Sequence, residues 1–178
     1  MAKQFWVFGY GSLMWRPGFD FLERHAAWLD GYHRALCVYS HVHRGVPERP
    51  GLVMGLDAGG KCRGVAFLVP DGEREKTLAY LRERELVTGV YHEVAVPVRL
   101  DDGRLVEALT YVVDRAHRQY ARGLDRETTL RFVRQGVGQS GRNVDYVTAT
   151  VDHLRELGVE DEDMNWLAAE LRRAPVAD

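Results

Sequence analysis

A glycine-rich loop follows the first apolar segment of the chain and could bind an anionic group. Residues 5–8 are apolar, and Gly9-Tyr10-Gly11-Ser12-Leu13 comes directly after them. Glycines let the backbone turn sharply and approach a ligand closely, and successive N–H groups in such a turn can form a concave anion site. The third glycine of a dinucleotide fingerprint would fall at Met14, so that motif is absent. An ordinary turn at a strand end is the alternative.

A second candidate is Glu85, near the end of a helix predicted over residues 72–87. Apolar side chains recur there at three- and four-residue steps, and Glu85 lies on or beside the stripe that they form. Apolar surroundings disfavour a charged carboxylate and raise its pKa, which suits a proton acceptor working near neutral pH. The alternative is a glutamate at the rim of the helix, paired with Arg82 or Arg84.

A polar loop over residues 40–50 brings further groups. His41 and His43 could ligate a metal from one side of a strand, but no ligand set is completed nearby, although Glu48 is close, so we expect no metal site. Arg44 suits a substrate carboxylate better, because its guanidinium forms a planar fork of donors.

A polar segment near residue 143 precedes the second of three predicted C-terminal helices. Asn143 is the expected N-cap of that helix. Tyr146, three residues further on, could direct its phenol towards a ligand. Since Gly-x-Ser-x-Gly is absent, a nucleophilic serine elbow is not indicated.

Strands followed by helices must position these residues. We predict a strand at 5–8, one bent strand or two over 26–39, and a hairpin of 51–56 with 63–69 around a turn at 57–60. After the helix at 72–87 comes a second hairpin, in which apolar residues alternate over 91–100, a turn follows at 101–103, and 105–113 is the partner strand. Helices then begin near Asp125, Asn143 and Asp161. The order predicts an α+β fold, with a small mixed sheet or barrel flanked by helices and a helical C-terminal third.

Length and composition indicate an ordinary globular protein. The 178 residues are 46% hydrophobic and 28% charged, which predicts a single domain over 1–178 with a frayed tail at 173–178. The net charge of −2 argues against nucleic acid or an anionic membrane as partner. Two cysteines make no disulfide framework, and the first apolar run is too short for a signal peptide or membrane span. We therefore expect a cytoplasmic protein, by default a monomer.

Four ordered motifs resemble the ChaC family, the glutathione-specific γ-glutamylcyclotransferases. The opening segment is Val7-Phe8-Gly9-Tyr10-Gly11-Ser12-Leu13-Met14-Trp15. The others are Arg44-Gly45-Val46-Pro47-Glu48-Arg49-Pro50-Gly51-Leu52, then Tyr80-Leu81 with Arg84-Glu85 and Gly89-Val90-Tyr91, and finally Gly138-Gln139-Ser140-Gly141-Arg142-Asn143 with Asp145-Tyr146. The likeness spans nearly the whole chain. Val46 is a departure, because many relatives are expected to carry threonine there.

The resemblance implies an enzyme that cleaves reduced glutathione into 5-oxoproline and cysteinylglycine, without water or a cofactor. It implies the γ-glutamylcyclotransferase fold, with Glu85 as the catalytic acid–base group. The implied substrate-binding residues are Gly9, Tyr10, Gly11, Ser12, Leu13, Met14 and Tyr146. On chemical grounds we add Arg44, which could meet the glycine carboxylate of glutathione, and Tyr91, which could support Tyr146.

Two alternatives keep a γ-glutamyl ligand. One is a cyclotransferase for another γ-glutamyl amino acid or a γ-glutamylamine, since pocket detail decides the substrate. The other is a non-catalytic protein that binds such a ligand. The presence of Glu85 argues against the second, because a carboxylate beside a substrate carboxylate weakens binding and is explained by proton transfer. A partner-binding adaptor is a third class, to which nothing in the composition points.

Overall fold

The computed structural model describes residues 3–173, in which a closed β-barrel is followed by helices. The strands are β1 (Phe5–Gly9), β2 (Glu23–Ser40), β3 (Gly51–Val69), β4 (Tyr91–Leu100), β5 (Leu105–Val113), and the short β6 (Val137–Gly138) and β7 (Gly141–Arg142). The helices are α1 (Arg74–Glu85), α2 (Arg126–Gln135), α3 (Asn143–Glu156) and α4 (Glu162–Arg172). The predicted α+β class and helical C-terminal third are confirmed.

The barrel has the strand order β1-β3-β2-β4-β5 and is closed by β5 against β1. The pairings of β1 with β3, β2 with β4 and β4 with β5 are antiparallel, whereas β1 and β5 run parallel. The predicted second hairpin is confirmed, with Gly103 at φ 90° in its turn. Val96, Val98 and Leu100 are buried on one face of β4, as their alternation predicts.

The first predicted hairpin is wrong, because β3 runs unbroken through the expected turn at 57–60. Gly59 and Gly60 do adopt positive φ, at 100° and 71°, but they distort the strand without reversing it. Long-range partners hold this segment extended. The Arg115 guanidinium donates to the Asp57 carboxylate at 2.7 Å and to the Ala58 carbonyl at 3.0 Å. The predicted bent strand over 26–39 is likewise one long strand, β2.

The described part of the chain divides into two compact units. That residues 1–178 form a single domain remains a prediction. The first unit contains residues 3–35 and 55–118, and therefore β1, β4, β5, α1 and most of β2 and β3. Its interior includes a cluster of buried side chains from β1, the glycine-rich loop, β3, α1 and β5. These are Phe5, Val7, Leu13, Val69, Leu81 and Tyr111.

The second unit contains residues 36–54 and 119–173, with α2, α3, α4 and the β6–β7 ribbon. Asp125 and Asp161 cap α2 and α4, as predicted, by accepting from the backbone N–H groups of Thr128 and Met164. Asn143 is not the cap of α3; Arg142 occupies that position, and Asn143 is the first helical residue. In the predicted tail, residues 174–178 lie outside the described part.

Candidate active site

The glycine-rich loop leaves β1 and forms one turn of 3₁₀ helix, Ser12–Met14. Leu13 and Met14 are buried, whereas Ser12 is exposed and Gly11 half-buried. Gly9 is required by packing, since a Cβ there would lie 2.9 Å from the Cβ of Leu13. The backbone N–H of Met14 donates to the Gly11 carbonyl at 2.9 Å and closes the turn. The backbone N–H groups of Gly11, Ser12 and Leu13 are the candidate donors to a ligand in this loop.

Three arginines donate hydrogen bonds to oxygen atoms of the loop. Arg34 donates from Nε to the Tyr10 carbonyl at 2.6 Å, and Arg24 donates to the Met14 carbonyl at 3.4 Å. Arg84, from α1, donates to the Ser12 hydroxyl. Because guanidinium groups only donate hydrogen bonds, these contacts engage acceptors of the loop and none of its N–H groups.

Glu85 is the last residue of α1 and is largely buried, with 18% of its side chain exposed. Its Oε1 lies 3.5 Å from Nε of Arg84. Burial raises the pKa of Glu85, and the positive charge of Arg84 opposes that shift without cancelling it. Arg82, the other predicted partner, instead forms a two-pronged contact with Glu93. Glu85 is therefore both desolvated and beside one arginine.

We expect kcat/KM to fall on the acid side as Glu85 becomes protonated. Since burial raises the pKa of Glu85, the midpoint of this fall should lie above the ordinary glutamate value of ~4.3. Initial rates across pH 4–8, with the fold checked at each pH by circular dichroism, measure it. A folded enzyme with full activity at pH 4 would contradict Glu85 as the base.

Two tyrosines of the first unit, Tyr91 and Tyr111, are associated with its buried cluster. Tyr91 begins β4 and packs against the buried cluster that contains Leu13 and Leu81. Tyr111, on β5, is buried and donates its hydroxyl to Glu93 at 3.0 Å. The pKa of Tyr111 is raised by burial first and then by this carboxylate, with a smaller contribution from the charge of Glu85. Tyr111 is thus a neutral phenol near Glu85, and the sequence analysis did not identify it.

Arg44 and Tyr146 lie together in the second unit. The guanidinium carbon of Arg44 is 5.4 Å from the centre of the Tyr146 ring, which is a cation–π contact. Arg44 also donates to the carbonyl of Arg142 at 3.2 Å. The Tyr146 hydroxyl accepts from the backbone N–H of Met54 at 3.0 Å. These contacts fix the orientation of both side chains.

The polar loop of the second unit is fixed by Asn143 and by close glycine packing. The side-chain amide of Asn143 accepts from the Leu52 N–H and donates to the Leu52 carbonyl, both at 2.8 Å. A Cβ on Gly51 or Gly136 would lie 2.3 or 2.4 Å from the carbonyl oxygen of Arg44. The backbone at Arg44 is therefore in direct contact with glycine backbone, and only glycine fits at these positions.

Of the site residues proposed from the sequence, the glycine-rich loop, Glu85 and Tyr91 lie in the first unit, and Arg44 and Tyr146 lie in the second. Sequence reasoning missed the loop-holding roles of Arg34 and Arg84 and the structural role of Asn143. The Arg84-Glu85 pair was the one available signal for Arg84. His43 contacts the Ser140 hydroxyl through Nδ1 at 2.9 Å. Across residues 3–173, no group of three or more His, Cys, Asp or Glu side chains could hold a metal ion.

No helix within residues 3–173 is long and apolar enough to cross a membrane.

Comparison with solved structures places the fold among cyclotransferases. A selenomethionine-labelled γ-glutamyl cyclotransferase from yeast, named as specific to glutathione, superposes with a TM-score of 0.85 over 96% of each chain at 19% identity. A structure named gamma-glutamyl cyclotransferase gives a TM-score of 0.55 at 16% identity, covering 94% of this chain and 88% of that one. The predicted γ-glutamylcyclotransferase-like fold is confirmed.

Sequence comparisons extend the likeness to family level. A glutathione-specific γ-glutamylcyclotransferase of Escherichia coli strain K12 is 34% identical over 168 residues, covering 94% of this chain and 73% of that protein. The human protein named glutathione-specific γ-glutamylcyclotransferase 1 is 32% identical over 162 residues, covering 89% and 73%. A family model described as ChaC-like protein matches residues 5–174. The chain therefore belongs to the ChaC-like family.

Proposed function

We propose that this protein is a γ-glutamylcyclotransferase, a lyase that converts reduced glutathione into 5-oxoproline and cysteinylglycine. The names of its relatives from Escherichia coli and human support glutathione as the substrate. The observation that carries the proposal is the buried carboxylate of Glu85. Arg84 lies 3.5 Å from it and also bonds Ser12 in the glycine-rich loop. A proton acceptor and a set of N–H donors are thereby linked within one unit.

The proposed reaction needs no nucleophile from the enzyme. The α-ammonium of the γ-glutamyl group loses a proton to the Glu85 carboxylate, and the free amine attacks the γ-amide carbon. A five-membered lactam forms and the bond to the cysteinyl nitrogen breaks, with Glu85 returning its proton to that nitrogen. The attacking nitrogen then loses its second proton through the Glu85 carboxylate, and that proton leaves on the ammonium group of cysteinylglycine. Holding the glutamyl arm folded supplies part of the rate enhancement, because the attack becomes a pre-oriented intramolecular step.

The backbone N–H groups of Gly11, Ser12 and Leu13 are the proposed anion donors. They bind either the α-carboxylate of the substrate or the oxyanion that develops on the γ-carbonyl. One such donor to an oxyanion contributes ~3 kcal/mol to transition-state stabilisation. Gly9 and Tyr10 belong to the same loop and are proposed to contact the substrate through their backbone atoms. Met14, buried at the end of the 3₁₀ turn, is proposed to support the loop. Tyr91 is proposed to support the site from β4.

Arg44 and Tyr146 are proposed to contact the substrate, as expected from the sequence. We propose that Arg44 binds the glycine carboxylate of glutathione, and that the phenol of Tyr146 bonds a polar group of the substrate. The Arg44–Tyr146 contact supports a fixed guanidinium, which loses less freedom on binding than a mobile one.

Arg44→Ala is expected to raise KM by ~10–100-fold, which corresponds to one charge-assisted hydrogen-bond contact. If Arg44 binds the substrate and the transition state equally well, its loss raises KM and leaves kcat unchanged. Steady-state kinetics with glutathione measures both constants. A large loss of kcat at unchanged KM would contradict the anchor role.

A substrate comparison tests the specificity. Glutathione is expected to give at least ~10-fold higher kcat/KM than γ-glutamyl-alanine, which lacks the thiol and the terminal glycine. A preference for γ-glutamyl-alanine or a γ-glutamylamine would keep the mechanism and replace the substrate. Binding of glutathione without turnover by the folded protein would favour a ligand-binding role.

EDTA is expected to leave activity unchanged. Inactivation of the enzyme by EDTA would reopen the metal hypothesis at His41 and His43.

We further propose that the protein acts as a monomer in the reducing cytoplasm. Cys37 and Cys62 lie buried as thiols in the described part of the chain, which fits a compartment that keeps thiols reduced.

A further inference from the structure

Arg84 makes an unusual set of contacts for a helical arginine. Its Nη1 donates to the Arg16 carbonyl at 3.0 Å and lies 2.9 Å from the Tyr80 hydroxyl. Its Nη2 donates to the Ser12 hydroxyl, and its Nε faces Glu85 at 3.5 Å. All three guanidinium nitrogens are therefore engaged, and 23% of the side chain remains exposed.

These contacts join the two parts of the proposed site. Ser12 and Arg16 lie at the start and just beyond the end of the 3₁₀ turn, while Tyr80 and Glu85 belong to α1. The planar fork of arginine sets the directions of its donors, which a lysine ammonium cannot reproduce. Gly18, beyond the loop, has a φ of 76°, and a Cβ there would overlap the Tyr80 ring. Tyr80 is thus also held in place.

We propose that Arg84 is a positioning residue, which fixes the glycine-rich loop relative to the Glu85 carboxylate and so sets the geometry of the cyclisation. This inference rests on the proposed function for its catalytic consequence. The loop-holding part rests on contacts alone. A misplacement of ~1 Å between reacting groups can lower a rate by ~100-fold, so a fixed link between loop and base has a measurable effect.

Arg84 also places a positive charge beside the base. Within residues 3–173, the charge of Arg84 lowers the pKa of Glu85, which burial raises. On β5, the phenol of Tyr111 stays protonated, because burial and the carboxylate of Glu93 raise its pKa, with a smaller contribution from the charge of Glu85. Removing the guanidinium therefore shifts the acid limb of the pH–rate profile upwards, and a merely structural arginine would not cause that shift.

The test compares Arg84→Met and Arg84→Lys with Arg74→Met. Arg74 begins α1, is exposed and packs over the Phe5 ring, so its replacement controls for loss of an arginine from the same helix. We expect kcat with glutathione to fall ~10–100-fold in both Arg84 variants. The acid limb should shift upwards in Arg84→Met and shift less in Arg84→Lys, which retains a positive charge. Arg74→Met should match the wild type.

Amide hydrogen exchange provides a readout that does not need activity. Peptides covering residues 12–16 should exchange at least ~10-fold faster in Arg84→Met than in Arg74→Met, because the contacts that hold the loop are lost. Unchanged exchange in a folded Arg84→Met protein would overturn the inference, as would unchanged kcat and pH profile in an active enzyme. If the wild type turns over no γ-glutamyl substrate, the proposed function fails, and the exchange rates still decide whether Arg84 holds the loop.

Discussion

Replacement of Glu85 by glutamine is expected to lower kcat by ~10²–10⁴-fold while the protein remains folded. Glutamine keeps the shape of the side chain but cannot accept the proton that the substrate amine must lose. The buried position at the end of α1 leaves little room for solvent to replace the carboxylate. Steady-state turnover of glutathione measures the loss, and binding to the variant by calorimetry separates lost chemistry from lost affinity.

The same substitution should not destabilise the protein at neutral pH. The pKa of Glu85 in the folded protein is raised by burial. Its contribution to stability is therefore most favourable below the unfolded pKa and is lost as pH rises through the folded pKa. At neutral pH the ionised carboxylate costs stability, so Glu85→Gln should melt at the same temperature as the wild type or higher. Near-normal turnover in this variant would refute Glu85 as the base, and a lower melting temperature would contradict its burial as a charged group.

Asn143→Leu is expected to destabilise the protein by about 2–6 kcal/mol. The Asn143 amide satisfies both the N–H and the carbonyl of Leu52, and both residues are fully buried. Leucine would leave these two backbone groups without partners, and each unsatisfied buried group costs ~1–3 kcal/mol. Denaturant unfolding monitored by circular dichroism measures the difference in the free energy of unfolding.

Thr148→Val provides the matched control for this measurement. Thr148 lies on the same helix, and its hydroxyl donates to carbonyls of α3 itself, at Val144 and Asp145. Loss of a half-buried bond of this kind should change the free energy of unfolding by less than ~1 kcal/mol. Equal effects of the two substitutions would show that the Asn143–Leu52 pairing is not a major stabilising contact.

Local patterns in the sequence predicted much of the fold. The alternation in β4 and the turn at Gly103 identified the second hairpin, and the capping aspartates located α2 and α4. The turn predicted at 57–60 failed because Asp57 and the two glycines have the composition of a turn, while the contacts of Arg115 that keep the strand extended come from a distant segment. Local composition contains no information about such partners.

In the candidate site, too, local sequence predicted some features, whereas others depend on contacts between distant segments. The position of Glu85 beside an apolar stripe predicted its desolvation, and the glycine spacing and family motifs made the glycine-rich loop a candidate. Asn143 had the sequence signature of a cap, but its amide pairs with Leu52, which lies 91 residues earlier in the chain. The contacts of Arg84 with Ser12 and Arg16 likewise join segments that are far apart in sequence. Their identification requires the folded arrangement.

The most direct test of the proposed chemistry is mass spectrometry of the products formed from reduced glutathione in ¹⁸O-labelled water. Intramolecular cyclisation predicts equimolar 5-oxoproline and cysteinylglycine from the wild type, with no ¹⁸O in either product and almost no product from Glu85→Gln. Formation of free glutamate that carries one ¹⁸O would show hydrolysis and contradict attack by the substrate's own amine. Absence of any product from the folded wild type would contradict glutathione as the substrate.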